Sequence, residues 1–171
     1  RNQININRTA DCVSTGPPKQ NHLKSILIIH QSAELYGSDK TILFFTKELD
    51  KSKYFPVVIL PSEGPLKVEF EKIGVKVVVA PVLKVYRDIV YPRNMLKFLR
   101  EYKASMRVLA RLHAEHDFKL IYSHTLAVLA GLIFARKNDI RHLWHVQEII
   151  AKPVFVNKLF KKLLALKSNN K

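Results

Sequence analysis

The chain has 171 residues, 47% hydrophobic and 25% charged, which is the composition of a globular domain and not of a disordered segment. Its single cysteine, Cys12, excludes an intrachain disulfide scaffold, and no Cys/His cluster with metal-ligand spacing occurs. No apolar stretch reaches the roughly 20 residues that a membrane-spanning helix needs, and no hydrophobic signal core follows the first residue, so we expect a cytoplasmic protein.

The charge is strongly positive. Twenty-nine Lys and Arg residues against fourteen Asp and Glu residues give a formal net charge of +15. Such a balance favours an anionic partner: a nucleic acid, acidic lipid head groups or a phosphorylated small molecule. The alternative is a fragment whose acidic complement lies on another domain or subunit.

Residues 1–23 are polar and without period, which predicts a leader or linker, and a single domain is expected over residues 24–171. Apolar runs rich in branched residues predict strands at residues 25–30, 55–60, 75–80, 119–123 and 142–146. Helical spacing of apolar residues predicts helices at residues 38–49, 65–73, 93–116, 125–137 and 154–167. Pro65 and Gly74 mark the start and the end of the second of these helices.

The alternation of strands and helices indicates an α/β fold. Right-handed βαβ units give a Rossmann-like parallel sheet with helices on both faces, and the expected strand order is 3-2-1-4-5. In such a sheet the ligand crevice lies beyond the carboxyl ends of the strands, where the order switches between strands 1 and 4. The loops that follow these strands are therefore where we expect the functional residues.

The loop after strand 1 contains Gly37, Ser38 and Asp39. A glycine allows close approach of the backbone, and a helix that begins at Ser38 offers free backbone N–H groups to an anion. The alternative is an ordinary helix cap. The chain has neither a G-x-G-x-x-G motif nor a P-loop, so a self-contained dinucleotide or ATP site is not supported.

Two histidines follow the next strands: His124 after strand 4 and His145 near the end of strand 5, with Glu148 three residues further on. A single histidine is usually a structural residue. Two at adjacent strand ends, together with a carboxylate, predict a polar site in the same crevice as Gly37.

Two segments carry a family resemblance: LYGSDKTILFFTKEL after strand 1, and IYSHTLAVLAGLIFARKNDIRHLWHVQEI across strands 4 and 5. Over about residues 25–150 the chain resembles the amino-terminal domain of the family 4 glycosyltransferases. These are retaining GT-B enzymes built from two Rossmann-like domains that face one another across a cleft. The resemblance implies an acceptor-binding domain for sugar transfer to a glycan, a lipid-linked sugar or another hydroxyl acceptor.

The resemblance also implies site residues. Gly37 and Ser38 match the two small residues of the family's first loop, so that this loop, with Asp39, would bind the donor diphosphate through backbone N–H groups. His145 matches the histidine of WHVRE-like variants, and with Glu148 it would act as a catalytic residue that orients the acceptor or sugar hydroxyls. The remaining matched residues are His124, where many members have Asn, and Gln147, in a slot that often holds His or Arg. Whether His145 or Gln147 faces the substrate is left open.

In this family the nucleotide-sugar is bound mainly by the second domain, which is marked by a pair of glutamates separated by seven residues. Glu63 and Glu71 have that spacing here, but Gly64-Pro65 lies between them in a turn, so we treat the match as a coincidence. A donor-binding domain is therefore expected in cis or in trans, and the chain alone is expected to be inactive. The resemblance implies no metal and no cofactor beyond the sugar donor.

The third helix carries a run of basic residues on one side, at Lys97, Arg100, Lys103, Arg107 and Arg111. Its apolar face is expected to comprise Leu99, Tyr102, Met106, Leu109 and His113. A second basic amphipathic pattern occupies residues 158–167. Both patterns favour peripheral contact with an anionic membrane, at its inner face, although a solvated helix face and a packed terminal helix are the alternatives.

Two other functions remain open. One is a non-catalytic subunit that presents an acceptor or a membrane to a partner enzyme, which predicts an exposed apolar patch around residues 159–166. The other is a nucleic-acid-binding domain. The aromatic residues are not interleaved with basic ones, and no helix-turn-helix, zinc or RNP signature occurs, which argues against nucleic acid.

Overall fold

The computed structural model describes residues 23–83, 92–125 and 129–145. Its strands are β1 (Lys24–His30), β2 (Tyr54–Leu60), β3 (Lys76–Val79), β4 (Leu120–His124) and β5 (Arg141–His145). Its helices are α1 (Gly37–Glu48), α2 (Pro65–Lys72), α3 (Pro92–His116) and α4 (Ala130–Lys137).

The strands form one five-stranded parallel sheet in the order β3-β2-β1-β4-β5, which confirms the predicted fold class and strand order. The switch point therefore lies between β1 and β4. In the register of the sheet, His30 is opposite His124, and His124 is opposite His145. The last residues of three neighbouring strands thus lie side by side.

Apolar residues cover both faces of the sheet, because successive residues of a strand point to opposite sides. One layer packs Leu27 and Ile29 of β1 with Leu109 and Leu112 of α3 and with Phe134 of α4. The other layer packs strand residues of the opposite face with α1 and α2, and comprises Ile26, Ile28, Ile42, Val58, Leu60, Leu66 and Phe70. The helices are therefore divided between the two faces, as a doubly covered sheet requires.

Besides shifts of one residue at the end of α1, the end of α2 and the start of α3, four differences separate the observed helices from the sequence prediction. Helix α1 begins at Gly37 with Tyr36 as its N-cap residue, one position before the predicted start. The helical spacing of Ile42, Phe45, Thr46 and Leu49 predicts that all four face the core, but Phe45 is 40% exposed. Helix α4 begins at Ala130 and not at Thr125, because Thr125 has φ of 96°, which no α-helix accommodates.

The fourth difference concerns the apolar face of α3. Leu99 is 45% exposed, whereas Ser105, Leu109 and Leu112 are buried at helical spacing. The inward face of α3 is therefore formed by these residues and by Tyr102 and Met106, which pack against the core, and it excludes Leu99. An apolar residue toward the start of α3 consequently lies on its outer side.

Several predicted features lie outside the described residues: the leader, the final helix at 154–167 with its basic pattern, Gln147 and Glu148. Within the described ranges, no helix is long and apolar enough to cross a membrane.

Candidate functional site

Three imidazole rings form a row across the carboxyl edge of the sheet. They belong to His30, His124 and His145, the last residues of β1, β4 and β5. The ring centroids of His30 and His124 are 4.8 Å apart, and so are those of His124 and His145. The structure thus brings together the two histidines predicted for the site, and adds His30. We call these three residues the histidine row.

The first residue of the row is tied to helix α1. His30 Nε2 lies 2.6 Å from Oδ1 of Asp39, and both side chains are buried. The other carboxylate oxygen of Asp39 accepts a hydrogen bond of 2.9 Å from the backbone N–H of Tyr36 and one of 3.3 Å from Ser32 Oγ. A carboxylate in the first turn of a helix is stabilised by the helix dipole. Asp39 therefore joins the start of α1 to the end of β1.

The three residues of the predicted anion-binding loop, Gly37, Ser38 and Asp39, differ in their burial and in their contacts. Asp39 turns its carboxylate inward, so that its own negative charge already lies at the first turn of α1. Ser38 is half-buried, with its hydroxyl 3.4 Å from Asp39 Oδ1. Gly37 is exposed, and a Cβ at this position would meet no atom within 4 Å. Packing therefore gives no reason for a glycine at Gly37, whereas close approach of a ligand would give one.

The middle residue of the row has one ring nitrogen paired and one unpaired. His124 Nδ1 lies 3.0 Å from His30 Nδ1, whereas His124 Nε2 is buried and has no hydrogen-bond partner among the described residues. Burial, together with the nearby His30 and His145, lowers the pKa of His124 to about 4. The ring is therefore neutral at neutral pH.

The turn after His124 is strained and is held by β5. Thr125 is a buried, β-branched residue with φ of 96°. Its N–H donates a 2.9 Å hydrogen bond to the carbonyl of His145, and its own carbonyl accepts a 2.7 Å bond from Trp144 Nε1. The Thr125 hydroxyl also has no hydrogen-bond partner among the described residues. Two unpaired polar atoms thus lie on consecutive residues at the carboxyl edge.

His145 is oriented by a tyrosine that sequence reasoning missed. The hydroxyl of Tyr122 lies 2.6 Å from His145 Nδ1, and the Tyr122 ring stacks on Phe45 with centroids 5.0 Å apart. Burial raises the pKa of Tyr122 to about 12, so that the phenol keeps its proton and is able to donate a hydrogen bond to Nδ1. With Tyr122 as the donor, the proton of a neutral His145 ring is on Nε2.

A fourth histidine lies on the other side of the sheet. His142 Nε2 is 2.9 Å from Ser123 Oγ, and burial lowers the pKa of His142 to about 4. Glycine at Gly131 allows α4 to approach this point, because a Cβ there would lie 2.3 Å from Ser123 Oγ. His142 therefore belongs to the packing of α4 on β4 and β5. Because side chains alternate between the two faces along a strand, His142 points to the face of the sheet opposite to that of His124 and His145.

The basic residues predicted on α3 are all exposed. Helix α3 packs on the face of the sheet that contains Leu27 and Ile29. His30 points to the same face as Ile26 and Ile28, and that face is covered by α1. The basic face and the histidine row thus belong to opposite layers. Among the described residues, no group of three or more His, Cys, Asp or Glu side chains is arranged to hold a metal ion.

Solved structures share this fold. No family model and no curated protein sequence matches the chain. Anabaena HepE in complex with UDP-glucose matches with a TM-score of 0.59 at 20% identity, over 83% of this chain and 35% of HepE. Acinetobacter baumannii MurG matches with a TM-score of 0.54 at 18% identity, over 82% of this chain and 39% of MurG.

A third match is an epimerase. UDP-GlcNAc 2-epimerase from Neisseria meningitidis, solved with UDP-GlcNAc, has a TM-score of 0.52 at 8% identity, over 81% of this chain and 37% of the epimerase. The chain thus spans little more than a third of each of these structures. Likeness at this level of identity establishes the fold and not the reaction. The chain has the Rossmann-like fold found in glycosyltransferases of the GT-B type.

Proposed function

We propose that the chain is the acceptor-binding domain of a retaining glycosyltransferase of the family 4 kind. It would serve transfer of a sugar from a nucleotide-sugar to a glycan, a lipid-linked sugar or another hydroxyl acceptor. The observation that carries the proposal is the histidine row, which meets the start of α1 at the carboxyl edge of a GT-B-type sheet. Open α/β sheets bind their ligands at this edge, beside the switch point.

The chemistry of such a transfer matches the groups at this edge. The acceptor hydroxyl attacks the anomeric carbon, the bond to the leaving diphosphate breaks, and negative charge grows on that diphosphate. The unpaired Nε2 of His124 and the Nε2 of His145 are polar atoms able to bind hydroxyl groups. Backbone N–H groups at Gly37 and Ser38 would bind the diphosphate, where the helix dipole favours an anion. Glu148 and Gln147, which follow β5 in the sequence and lie outside the described residues, are also proposed to orient the substrate.

In this proposal, the chain supplies one half of the cleft in which sugar transfer takes place, and a second domain supplies the other half. A second domain, in the same polypeptide or in another chain, would hold the nucleotide-sugar; HepE, of which this chain covers 35%, was solved in complex with UDP-glucose. The chain by itself would then bind the acceptor better than the nucleotide.

A binding experiment with the 171-residue chain tests this proposal. The chain labelled with ¹⁵N-histidine is titrated with UDP-glucose, with methyl glucosides and with a short-chain prenyl diphosphate carrying one sugar. We expect saturable changes in the ring signals of His124 and His145 with a sugar acceptor, and none at His142, which is an internal control. Absence of saturation with every sugar probe would contradict the proposal.

We also propose that the outer face of α3 contacts an anionic membrane surface. Leu96, Arg100, Lys103 and Arg107 recur at the i, i+4, i+7, i+11 spacing of one helix face, and all four are exposed, with Leu96 at 72%. Exposed Leu99 and Arg111 flank them. The acidic residues of the helix lie elsewhere: Glu101 is half-buried, and Glu115 pairs with Lys76 at 2.6 Å. Each cation near an anionic leaflet is worth about 1 kcal/mol.

Two exposed leucines on the basic face favour a lipid surface over a nucleic acid, because leucine can enter the head-group region and has no stacking role. The test is co-sedimentation with vesicles of phosphatidylglycerol and phosphatidylcholine, or of phosphatidylcholine alone. The triple variant Arg100→Gln, Lys103→Gln, Arg107→Gln should lose binding to the anionic vesicles. The matched control, Lys24→Gln, Lys47→Gln, Lys137→Gln, removes the same charge from other exposed positions and should retain most of it. Equal losses, or binding to duplex RNA but not to vesicles, would refute the membrane surface.

A further inference from the structure

A continuous line of buried groups leads from the start of α1 to the unpaired nitrogen of His124. Asp39 Oδ1 lies 2.6 Å from His30 Nε2, and His30 Nδ1 lies 3.0 Å from His124 Nδ1. All three side chains are at most 1% exposed. The two contacts use one oxygen of Asp39, both ring nitrogens of His30 and one nitrogen of His124. The position of each proton along the line can therefore be worked out.

The first contact requires a proton on His30 Nε2. The Asp39 carboxylate accepts from Tyr36 N–H at 2.9 Å and from Ser32 Oγ at 3.3 Å, and an ionised carboxylate can only accept. His30 must then donate from Nε2. A distance of 2.6 Å is short for an N–H···O hydrogen bond, as bonds between charged partners tend to be, and a buried carboxylate is stabilised when its partner carries the opposite charge. These conditions favour a protonated His30.

The second contact holds a single proton between two Nδ1 atoms. If His30 is an imidazolium, its Nδ1–H donates, His124 Nδ1 accepts, and the proton of the neutral His124 is on Nε2. If His30 is neutral, His124 must donate from Nδ1, and its Nε2 is then a bare acceptor. Burial is the main cause that lowers the pKa of His124 to about 4, and the nearby His30 lowers it further, as a cation at His30 in the first arrangement would do.

We propose that Asp39 and His30 are positioning residues: as a buried ion pair they hold His124 as the Nε2–H tautomer and so present a hydrogen-bond donor to an oxygen atom of a bound ligand. The ligand class is an acceptor oxygen, such as a sugar hydroxyl or a phosphate oxygen. This assignment of a ligand rests on the proposed function, whereas the proton positions do not. Among the described residues, the titratable group in contact with the pair is His124 of β4, which in turn contacts Tyr122 of β4 and His145 of β5.

The test reads the proton positions directly. Ring ¹⁵N spectra distinguish an imidazolium from a neutral imidazole, and in the neutral ring they identify the protonated nitrogen. In the unmodified chain at neutral pH we expect His30 to show the imidazolium pattern and His124 to show the neutral pattern with its proton on Nε2. A His124 ring protonated on Nδ1, or a neutral His30, would overturn the proposal without any variant.

Two substitutions distinguish the effect of the Asp39 charge on the histidine rings from the effect of the neutral contacts around Asp39. Asp39→Asn removes the negative charge, so His30 should become neutral and the proton of His124 should move to Nδ1. Ser32→Ala removes one neutral contact to the same carboxylate and should change neither ring. His142, bonded to Ser123 on the opposite face, should keep the same tautomer in all three proteins. An unchanged His124 pattern in a folded Asp39→Asn chain would contradict the role of the pair.

A binding measurement then separates this inference from the proposed function. If the proton positions are as stated and a sugar probe binds, Asp39→Asn should weaken that binding about tenfold, the worth of about one hydrogen bond to a ligand. If the proton positions are as stated but neither the unmodified chain nor Asp39→Asn binds a sugar, the role of the ion pair in fixing the His124 tautomer stands and the sugar-binding role is rejected. Equal sugar affinity of the two proteins would reject His124 Nε2–H as a donor to the ligand.

Discussion

Tyr122 orients His145 across two adjacent strands, with its hydroxyl 2.6 Å from His145 Nδ1. The tyrosine ring is itself fixed by stacking on Phe45 of α1. Since the pKa of Tyr122 is raised to about 12, the phenol is a hydrogen-bond donor throughout the range in which proteins are usually studied. The outermost ring of the histidine row is thus held by a group buried beneath it.

Tyr122→Phe should weaken the binding of a sugar probe several-fold while preserving the fold. Phenylalanine keeps the stack on Phe45 but removes the donor to His145, an interaction worth about 1 kcal/mol. Calorimetric titration and thermal unfolding measure the two effects. Tyr54→Phe is the matched control, because Tyr54 is a partly buried tyrosine at the opposite end of the sheet. An equal effect of both substitutions on binding would contradict the role of Tyr122.

The sequence was sufficient to predict the sheet, because alternating buried strands and helices with right-handed connections permit few orders. The ends of β4 and β5 followed from that order, and with them His124 and His145. His30 and Tyr122 were not predicted. Their contacts join positions as far as 94 residues apart along the chain, and no local period marks them.

The remaining errors come from tertiary contacts that override local preference. The helical pattern beginning at Thr125 fails because β5 holds this residue, through Trp144 and the backbone of His145, in a conformation no helix contains. The apolar period of α3 continues to Leu99, but the core contacts only one side of the helix. Periodicity therefore located the helices better than it located their ends.

The stability of the fold should respond in opposite ways to alanine at Gly131 and at Gly37. Gly131→Ala places a Cβ 2.3 Å from Ser123 Oγ and 3.1 Å from Ile29 Cδ1, so it should lower the free energy of unfolding by about 1–3 kcal/mol. Gly37→Ala meets no atom within 4 Å and should leave stability unchanged or raise it by up to about 1 kcal/mol. Urea denaturation of both variants measures the difference. Equal stability of the two would show that α4 does not pack closely on β4.

Strain at Thr125 should appear as a difference between glycine and alanine. Both substitutions remove the buried hydroxyl and its unpaired oxygen, but only glycine adopts a φ of 96° without steric cost. Thr125→Gly should therefore be more stable than Thr125→Ala by about 1 kcal/mol. Chemical denaturation of the two variants measures this difference. Ordinarily glycine is the less stable of the two, so alanine more stable than glycine would contradict the positive φ.

Acid should destabilise the fold in a pH range set by two buried histidines. His124 and His142 have a pKa of about 4 in the folded chain, against 6.5 for the ordinary side chain. Between these values the unfolded chain binds protons that the folded chain does not, so the free energy of unfolding falls as the pH falls. Each histidine contributes at most about 1.4 kcal/mol per pH unit, and its contribution is fully present above about pH 6.5.

His142→Gln isolates one of the two contributions. The variant loses the contact to Ser123, so its stability is lower at every pH, but it also lacks one of the groups that bind protons on unfolding. Urea denaturation at several pH values should give a shallower slope for the variant between about pH 6.5 and 4, and parallel curves above that range. Identical slopes for the two proteins in the acidic range would show that His142 is protonated in the folded chain, against the burial that keeps it neutral.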